Sequence, residues 1–496
     1  MKKKSLSYFD RLWMRFDDPN NLVIITGVIL LGGKLNLETF ETSLEHTLAR
    51  FQRLRQRLVK PGFKFRPPYW EKDPNFDLNQ HIEKRLLFPT ADKDALEQLI
   101  GELMSVDLDA SRPLWKFYII EDYGEGSAII CRVHHGLADG IALMHVLHSL
   151  ASTNAMGQEH DSQSFSQTAK KKQLEDRKFW QGETVWESTR NFLGEVALSG
   201  IEILLDPDIA REYIRSGAGY SLSTGKLVVR CPDTKTILKG SIGGEKKATW
   251  SDPISLEELK SISHAVDGTI NDVLLNLISG ALRRYMEYLG ENVDSKQITG
   301  LIPVNLRPSE FDGELGNKLG LVFLELPVGI FDPISRQYEL KRTMDDLKSS
   351  KEPVITYGLL NVLGASPDRL QDAVVRFFEK KGSIVITNVP GPKDQLFLGG
   401  VPVETIMAWV PQPGHLGVGI SIISYFGKVW LGIATDNHLI PDPQSFINNF
   451  EDELEEMKYL VEDLIEKGGN PLVEMHSELD KALGTVDKLI ESTNVQ

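Results

Sequence analysis

The sequence predicts an α/β protein built as two lobes, and three observations carry that reading. The chain has 496 residues, of which 41% are hydrophobic, more than one core usually serves and enough to fill two. A β-branched apolar run at residues 22–31 leads straight into an amphipathic helical stretch, the alternation expected of an α/β fold. After a polar interruption, a second series of strand and helix patterns begins near Ala248.

The elements follow in order. Residues 22–31 are about half the roughly 20 residues a membrane-spanning helix needs, so they read as a buried strand. No transmembrane segment is expected. The basic start Lys2, Lys3 and Lys4 is succeeded by Asp10, Arg11, Arg15, Asp17 and Asp18, which leave no room for the apolar core of a signal peptide. Asn36 is placed to cap a helix whose apolar positions, Leu37, Phe40, Leu44, Leu48, Phe51, Leu54 and Leu58, keep a helical period. Arg50, Arg53, Arg55 and Arg57 then fall at its C-terminal end, where they complement the helix dipole; that reading is preferred to contact with a phosphate or lipid headgroup.

Residues 115–120 and 128–133 read as a hairpin around Asp122-Tyr123-Gly124-Glu125-Gly126, delivering His134 and His135 at a strand end, with Gly140 opening a helix over 141–150. A polar linker comes next at 152–172, and then an aromatic-rich helical stretch from Phe179 to Ile201. Docking against the lobes is favoured for that stretch over shallow insertion at a lipid surface. Further strands are expected at 298–304, 319–326, 383–387, 415–425 and 429–435, with helices at 270–285 and 443–466. The division is a first lobe at 1–151, a linker and crossover at 152–247, a second lobe at 248–467 and an amphipathic tail at 468–496, for which packing against protein is preferred to a membrane surface.

The net charge of −15 leaves no basic surplus for a nucleic-acid partner. Two cysteines, Cys131 and Cys231, are too few for a disulfide framework and are expected to be free.

The strongest chemical signal is His134-His135-Gly136-Leu137-Ala138-Asp139-Gly140, an HHxxxDG pattern. A neutral imidazole is suited to remove the proton of an alcohol as its oxygen attacks an acyl group, so the pattern points to direct acyl transfer. Activity should then fall as the imidazole protonates, near its ordinary pKa. Side chains alternate along a strand, so only one of the two histidines can face a given cleft. The residues alone leave open which one does.

A cysteine acyl-enzyme is disfavoured because Cys131 falls in strand spacing that makes it core, and no Gly-x-Ser-x-Gly elbow is present. Zinc is disfavoured because adjacent strand histidines diverge and no HExxH or CxxC pattern accompanies them. Gly240–Gly244 and Gly414–Gly419 lack the context of a nucleotide-binding loop.

Several weaker pieces accompany the motif: Pro113-Leu114-Trp115, Asn271-Asp272, Pro303-Val304-Asn305-Leu306-Arg307, Gly316-Asn317 and Asn388-Val389-Pro390-Gly391-Pro392. In this order and with these separations the chain resembles the bacterial and plant wax ester synthase/diacylglycerol O-acyltransferase family, from Leu6-Ser7-Tyr8-Phe9-Asp10 to about Asp436.

That resemblance implies two coenzyme-A-dependent acyltransferase-like lobes, of the chloramphenicol acetyltransferase type, with mixed sheets and an active-site tunnel between them. It implies an acyl coenzyme A donor used as substrate rather than as bound cofactor, and a long-chain alcohol or diacylglycerol as acceptor. It makes His135 the general base, His134 its support, and Asp139 a loop-holding group engaged in a salt bridge. It makes Gly140 the turn into the helix and Asn271 the group that polarises the carbonyl or steadies the oxyanion. Among the residues grouped at the substrate-binding site, Asp272 would be a helix or loop anchor, and Pro113, Leu114 and Trp115 would have a structural role near the acyl channel.

The chain departs from the family pattern at Asn20-Asn21-Leu22-Val23, where Pro-Met-His is frequent, at Thr236-Ile237-Leu238-Lys239-Gly240, and at Lys246-Lys247, where paired arginines are common. These departures bear on acceptor preference. The competing readings are a condensation domain working on carrier-bound substrates and a lipid-surface binding protein without turnover. The expected location is cytoplasmic, with peripheral visits to membranes or lipid droplets.

Overall fold

The computed structural model describes residues 4–466 apart from 62–67, 89, 153–232, 295, 308–314, 351, 366–375 and 377. Most of the expected linker and crossover, the C-terminal tail and Cys231 lie outside the described residues. The fold is mixed α/β in two lobes.

The first sheet runs in the order Phe397–Leu398, Val401–Trp409, Ile24–Leu31, Gly126–His134, Trp115–Tyr123, Ile82–Lys84. Ile24–Leu31 is buried along nearly its whole length because it is central and covered on both faces. Helices Leu37–Arg50, Lys93–Met104 and Gly140–Leu150 contribute Phe40, Leu44, Leu48, Leu96, Ile100 and Leu147 to the same core.

The second sheet runs Leu319–Leu326, Ile298–Asn305, Ile384–Pro390, Val418–Tyr425, Lys428–Asp436, Lys246–Trp250, with two parallel pairings at its centre. Helix Ile270–Tyr288 is buried along most of its length between this sheet and helix Pro443–Glu466, and its buried polar members Asn276 and Arg283 donate to Pro333 O and Val328 O.

The helix expected over residues 37–58 ends at Arg50, and Gln56–Val59 forms a strand paired with Tyr69–Lys72. The apolar spacing at Phe51, Leu54 and Leu58 fits a helix, but strand pairing decides the geometry. Arg50 stands in the last turn of that helix as expected, and the other three arginines lie beyond it. Arg53 bonds Asp10 at 3.2 Å, Arg57 bonds Glu71 at 3.4 Å, and Arg55 lies over the Phe76 ring.

The lobes exchange elements in both directions. Val401–Trp409, well inside the stretch assigned to the second lobe, pairs antiparallel with Ile24–Leu31 of the first, with Ile406 opposite Ile29 and Trp409 opposite Thr26. The sequence reading missed this strand, whose pattern is broken by Pro402 and Glu404, and a register shift lies between Val403 and Thr405. In return, the N-terminal helix Tyr8–Phe16 packs Phe9, Leu12 and Trp13 against Leu301, Leu319 and Phe323 of the second sheet. Asn21, one of the departures from the family pattern, is fully buried and donates to the carbonyls of Gly414 and Leu416 at 2.7 and 2.9 Å. It therefore pins the first lobe to a loop of the second.

Candidate active site

A cavity of about 860 Å³ runs between the lobes. Its walls are mainly apolar and come from both sheets and from the exchanged elements: Trp13, Ile29 and Leu147 on one side, Leu301, Leu321 and Val385 on the other, with Ile406 and Met407 from the crossing strand. A tunnel of this volume and lining suits a long hydrocarbon chain.

The hairpin Trp115–Tyr123 and Gly126–His134 carries the motif to the cavity. His135 lines it and His134 does not, as strand alternation requires of adjacent side chains. His134 is turned inward. Its Nδ1 accepts from Gly136 N at 3.0 Å and its Nε2 stands 3.4 Å from an Asp17 carboxylate oxygen, so it braces the turn after the strand.

The His135 ring stacks on Trp13, with centroids 4.0 Å apart and planes 15° from parallel. Burial is the largest influence on this imidazole and lowers its pKa to about 4, against the opposing Asp139 charge. The ring is therefore neutral at physiological pH, with a lone pair available to take a proton.

Asp139 is turned to Arg307. The guanidinium Nε and Nη2 stand 3.1 and 2.9 Å from one carboxylate oxygen, and Lys318 N donates to the same oxygen at 3.1 Å. The other oxygen caps the helix Gly140–Leu150 by accepting from Ala142 N at 2.9 Å. Asp139 thus ties the motif loop to the second lobe through a buried charge pair. Gly140 does not take a positive φ, so the turn needs no conformational freedom from it. A Cβ there would instead stand 3.3 Å from Val389 Cγ2, so glycine lets the strand Ile384–Pro390 approach closely.

From the second lobe, Asn271 lines the cavity at the start of helix Ile270–Tyr288. Its Oδ1 accepts from Asn388 Nδ2 at 3.1 Å, which leaves its own Nδ2 as a donor. Asp272, the next residue, is off the wall. It closes a capping box with Thr269, whose N donates to the carboxylate at 2.9 Å while Asp272 N donates to the Thr269 hydroxyl at 3.2 Å. Asp272 is thus the helix anchor expected of it, set off the wall rather than among the substrate-lining residues.

Pro113, Leu114 and Trp115 also lie off the cavity wall. Leu114 O accepts from His134 N at 3.0 Å, and the Trp115 indole donates to Leu54 O at 2.7 Å and stacks on His81. Trp115 opposes Val133 in the hairpin, so the segment fixes the strand end that presents the histidines. Cys131, expected in the core, is on the tunnel wall with a free thiol. Burial pushes its pKa up to about 11, which keeps it protonated.

Residues 19–274 match the wax ester synthase/diacylglycerol acyltransferase catalytic domain, and residues 315–458 match the C-terminal domain of the same family. The chain belongs to that family. A probable diacylglycerol O-acyltransferase of Mycobacterium tuberculosis is 26% identical over 460 residues, covering 90% of this chain and 94% of the relative. A second protein of that organism, a putative diacylglycerol O-acyltransferase, is 25% identical over 440 residues and covers 86% of each.

Among solved structures, the wax ester synthase/diacylglycerol acyltransferase from Marinobacter aquaeolei VT8 superposes with a TM-score of 0.65 at 18% identity, over 92% of this chain and 100% of that one. The first condensation domain of the calcium-dependent antibiotic synthetase gives a TM-score of 0.56 at 12% identity, over 93% and 96%. At those identities the likeness is one of fold, and it places this family member among the two-lobed acyltransferase and condensation architectures.

Two parts of the site carried no assigned role in the sequence. Trp13 comes from the N-terminal helix, ahead of the catalytic-domain match, and no local pattern joins it to the motif. Arg307 and Asn317 stood in short pieces whose partners only the fold reveals. Asn317 Nδ2 donates to His135 O at 2.8 Å and to Asp10 Oδ1 at 3.0 Å. Gly316 between them has φ of 137°, a region that favours glycine, and its carbonyl accepts from Arg307 and from Asp139 N. Among the described residues no helix is long and apolar enough to cross a membrane.

Proposed function

We propose that this acyltransferase moves a fatty acyl group from acyl coenzyme A to diacylglycerol or a long-chain alcohol, with His135 as general base and without a covalent acyl-enzyme. The observation that carries the reading is a buried, neutral imidazole on the wall of an apolar tunnel that Asn271 also lines.

His135 takes the proton of the acceptor hydroxyl as the oxygen attacks the thioester carbonyl. The carbonyl oxygen, now bearing negative charge, is met by Asn271 Nδ2, held as a donor by Asn388. The intermediate collapses, the carbon–sulfur bond breaks, and the imidazolium returns its proton to the departing thiolate. His134 and Asp139 act on the loop, the first through Gly136 and Asp17 and the second through Arg307. Both substrates and product partition into lipid, so the enzyme works peripherally at a membrane or lipid-droplet surface.

The test is to offer purified protein a labelled long-chain acyl coenzyme A with diacylglycerol or with hexadecanol, and to resolve the neutral lipids. Labelled triacylglycerol or wax ester is expected. Free acid alone with both acceptors overturns the reading, and the ratio of the two esters sets the acceptor preference.

A further inference from the structure

The motif carboxylate is not available to orient His135. Asp139 is held by Arg307, by Lys318 N and by the cap of its own helix, and it makes no hydrogen bond to the imidazole. A general base nevertheless needs one ring nitrogen protonated and fixed so that the other stays open to the substrate.

The His135 Nδ1 is buried without a hydrogen-bond partner from another residue among those described. So is Asn317 Oδ1. The orientation of that amide is forced by its partners. His135 O and the Asp10 carboxylate are both acceptors, so the atom that touches them at 2.8 and 3.0 Å must be the NH2 group. The carbonyl end of Asn317 is thereby left for another donor.

Burial dominates the imidazole, and against it act the Asp139 charge, the residue's own carbonyl and the Asn317 side chain. Both hydrogen-bonding contributions favour a proton on the ring. Hydrogen bonds of this kind are often long in a substrate-free site and tighten in the complex. Asp10, which fixes the amide from the other side, is 2% exposed and is itself held by Arg53 Nη1 at 3.2 Å. The Trp13 stack fixes the ring plane.

We propose that Asn317 is the positioning residue of the general base: its Oδ1 accepts the Nδ1 proton of His135, leaving Nε2 unprotonated toward the acceptor hydroxyl. Asp10 and Trp13, both on the N-terminal helix, complete the clamp. The inference rests on the general-base reading of His135, but its test does not depend on turnover.

Protein labelled with 15N-histidine reports the protonated nitrogen of each imidazole, and the His135 signals are assigned by their loss in His135→Ala. The wild-type chain should show Nδ1 protonated and Nε2 bare. Asn317→Leu, close in volume and unable to accept, should give a mixture of tautomers and a kcat lowered roughly 10- to 100-fold, less than the about 10⁴-fold cost of a wholly wrong tautomer, because a mixture still contains the working form. The KM values for both substrates should stay within about two-fold, since binding is not the function removed.

Asn317→Ser, whose hydroxyl falls short of the amide tip while the backbone N of residue 317 keeps its bond to Asp10 at 3.3 Å, should behave the same way and guards against a leucine variant that fails to fold. A wild-type Nε2 proton overturns the proposal, as does an unchanged tautomer and kcat in a folded variant. Failure of the general-base reading itself would show separately, as ester formation that survives in His135→Ala.

Discussion

At the catalytic junction the lobes meet through buried polar pairs, Asp139 with Arg307 and Asn317 with Asp10 and the His135 carbonyl. At the opposite junction they meet through a shared strand, Val401–Trp409 beside Ile24–Leu31, bordered by Lys93 bonding Trp250 O at 2.7 Å and Thr249 bonding Glu97 at 2.8 Å. A strand exchange supplies many backbone bonds and apolar area, and it tolerates substitution at any one side chain. A buried charge pair supplies few contacts, fixes geometry tightly, and leaves a costly orphan when one partner is lost. The chemistry is built on the second kind of junction and the mechanical hold on the first.

The largest effect is expected at the reacting atom. His135→Ala should lower ester formation by about 10² to 10⁴-fold, measured as initial rate with labelled acyl coenzyme A on protein shown to be folded. A variant that kept its rate would break the assignment. Asp139→Ala should act on both readouts. It leaves the Arg307 guanidinium, 7% exposed, with the Gly316 carbonyl but without its carboxylate, at a cost of up to about 3–5 kcal/mol, and chemical denaturation should show the loss together with reduced turnover. Unchanged stability would mean that the catalytic junction does not depend on this pair. Asn271→Ala removes the proposed oxyanion donor and should cost on the order of 10²-fold in kcat with little change in unfolding, separating chemistry from lobe docking within the same junction.

The pH dependence sharpens the contrast. The sequence alone placed the loss of activity near the ordinary histidine pKa of 6.5, but burial lowers the His135 pKa to about 4. The rate should therefore hold level through pH 6.5 and fall only toward about 4. A midpoint at 6.5 in kcat/KM would contradict this. The unfolded chain takes up that proton first, so the His135 contribution to stability falls as pH drops from 6.5 toward 4.

At the far junction the sign reverses. Burial raises Glu97 to about 7, opposed by the Thr249 hydroxyl and by Lys93. The folded state holds this proton more tightly than the unfolded one, and stability is lost as pH rises from 4.5 through about 7. Glu97→Gln should flatten that part of the stability profile and leave turnover unchanged, the smallest effect on activity in the set. A loss of activity in it would mean that the two junctions are coupled.

Much of the first lobe was legible because its signals are local. The apolar run, the Asn36 cap, the hairpin with its turn and the HHxxxDG pattern each reside in one short stretch, and the structure places Ile24–Leu31, Leu37–Arg50 and Gly126–His134 within a few residues of those expectations, except where strand pairing cut the helix short. The second sheet was found strand by strand for the same reason. Its sixth strand, Lys246–Trp250, straddles the boundary drawn between the crossover and the second lobe and was not marked as a strand, and Val401–Trp409 was unmarked because Pro402 and Glu404 interrupt its alternation.

The sequence by itself determined the fold class and the motif, since periodicity and spacing are properties of neighbouring residues, and its separate short pieces together resembled the family that the domain matches show. It also determined that only one of His134 and His135 could face the cleft, because alternation is built into a strand. Tertiary structure decided what those residues do to one another. Trp13 and His135 are 122 positions apart in the chain and stack face to face, and Asp139 finds Arg307 and His135 finds Asn317 across the lobe boundary. Such partners leave no local pattern, because they are chosen by the packing of two sheets and by the cost of leaving a buried polar group unpaired.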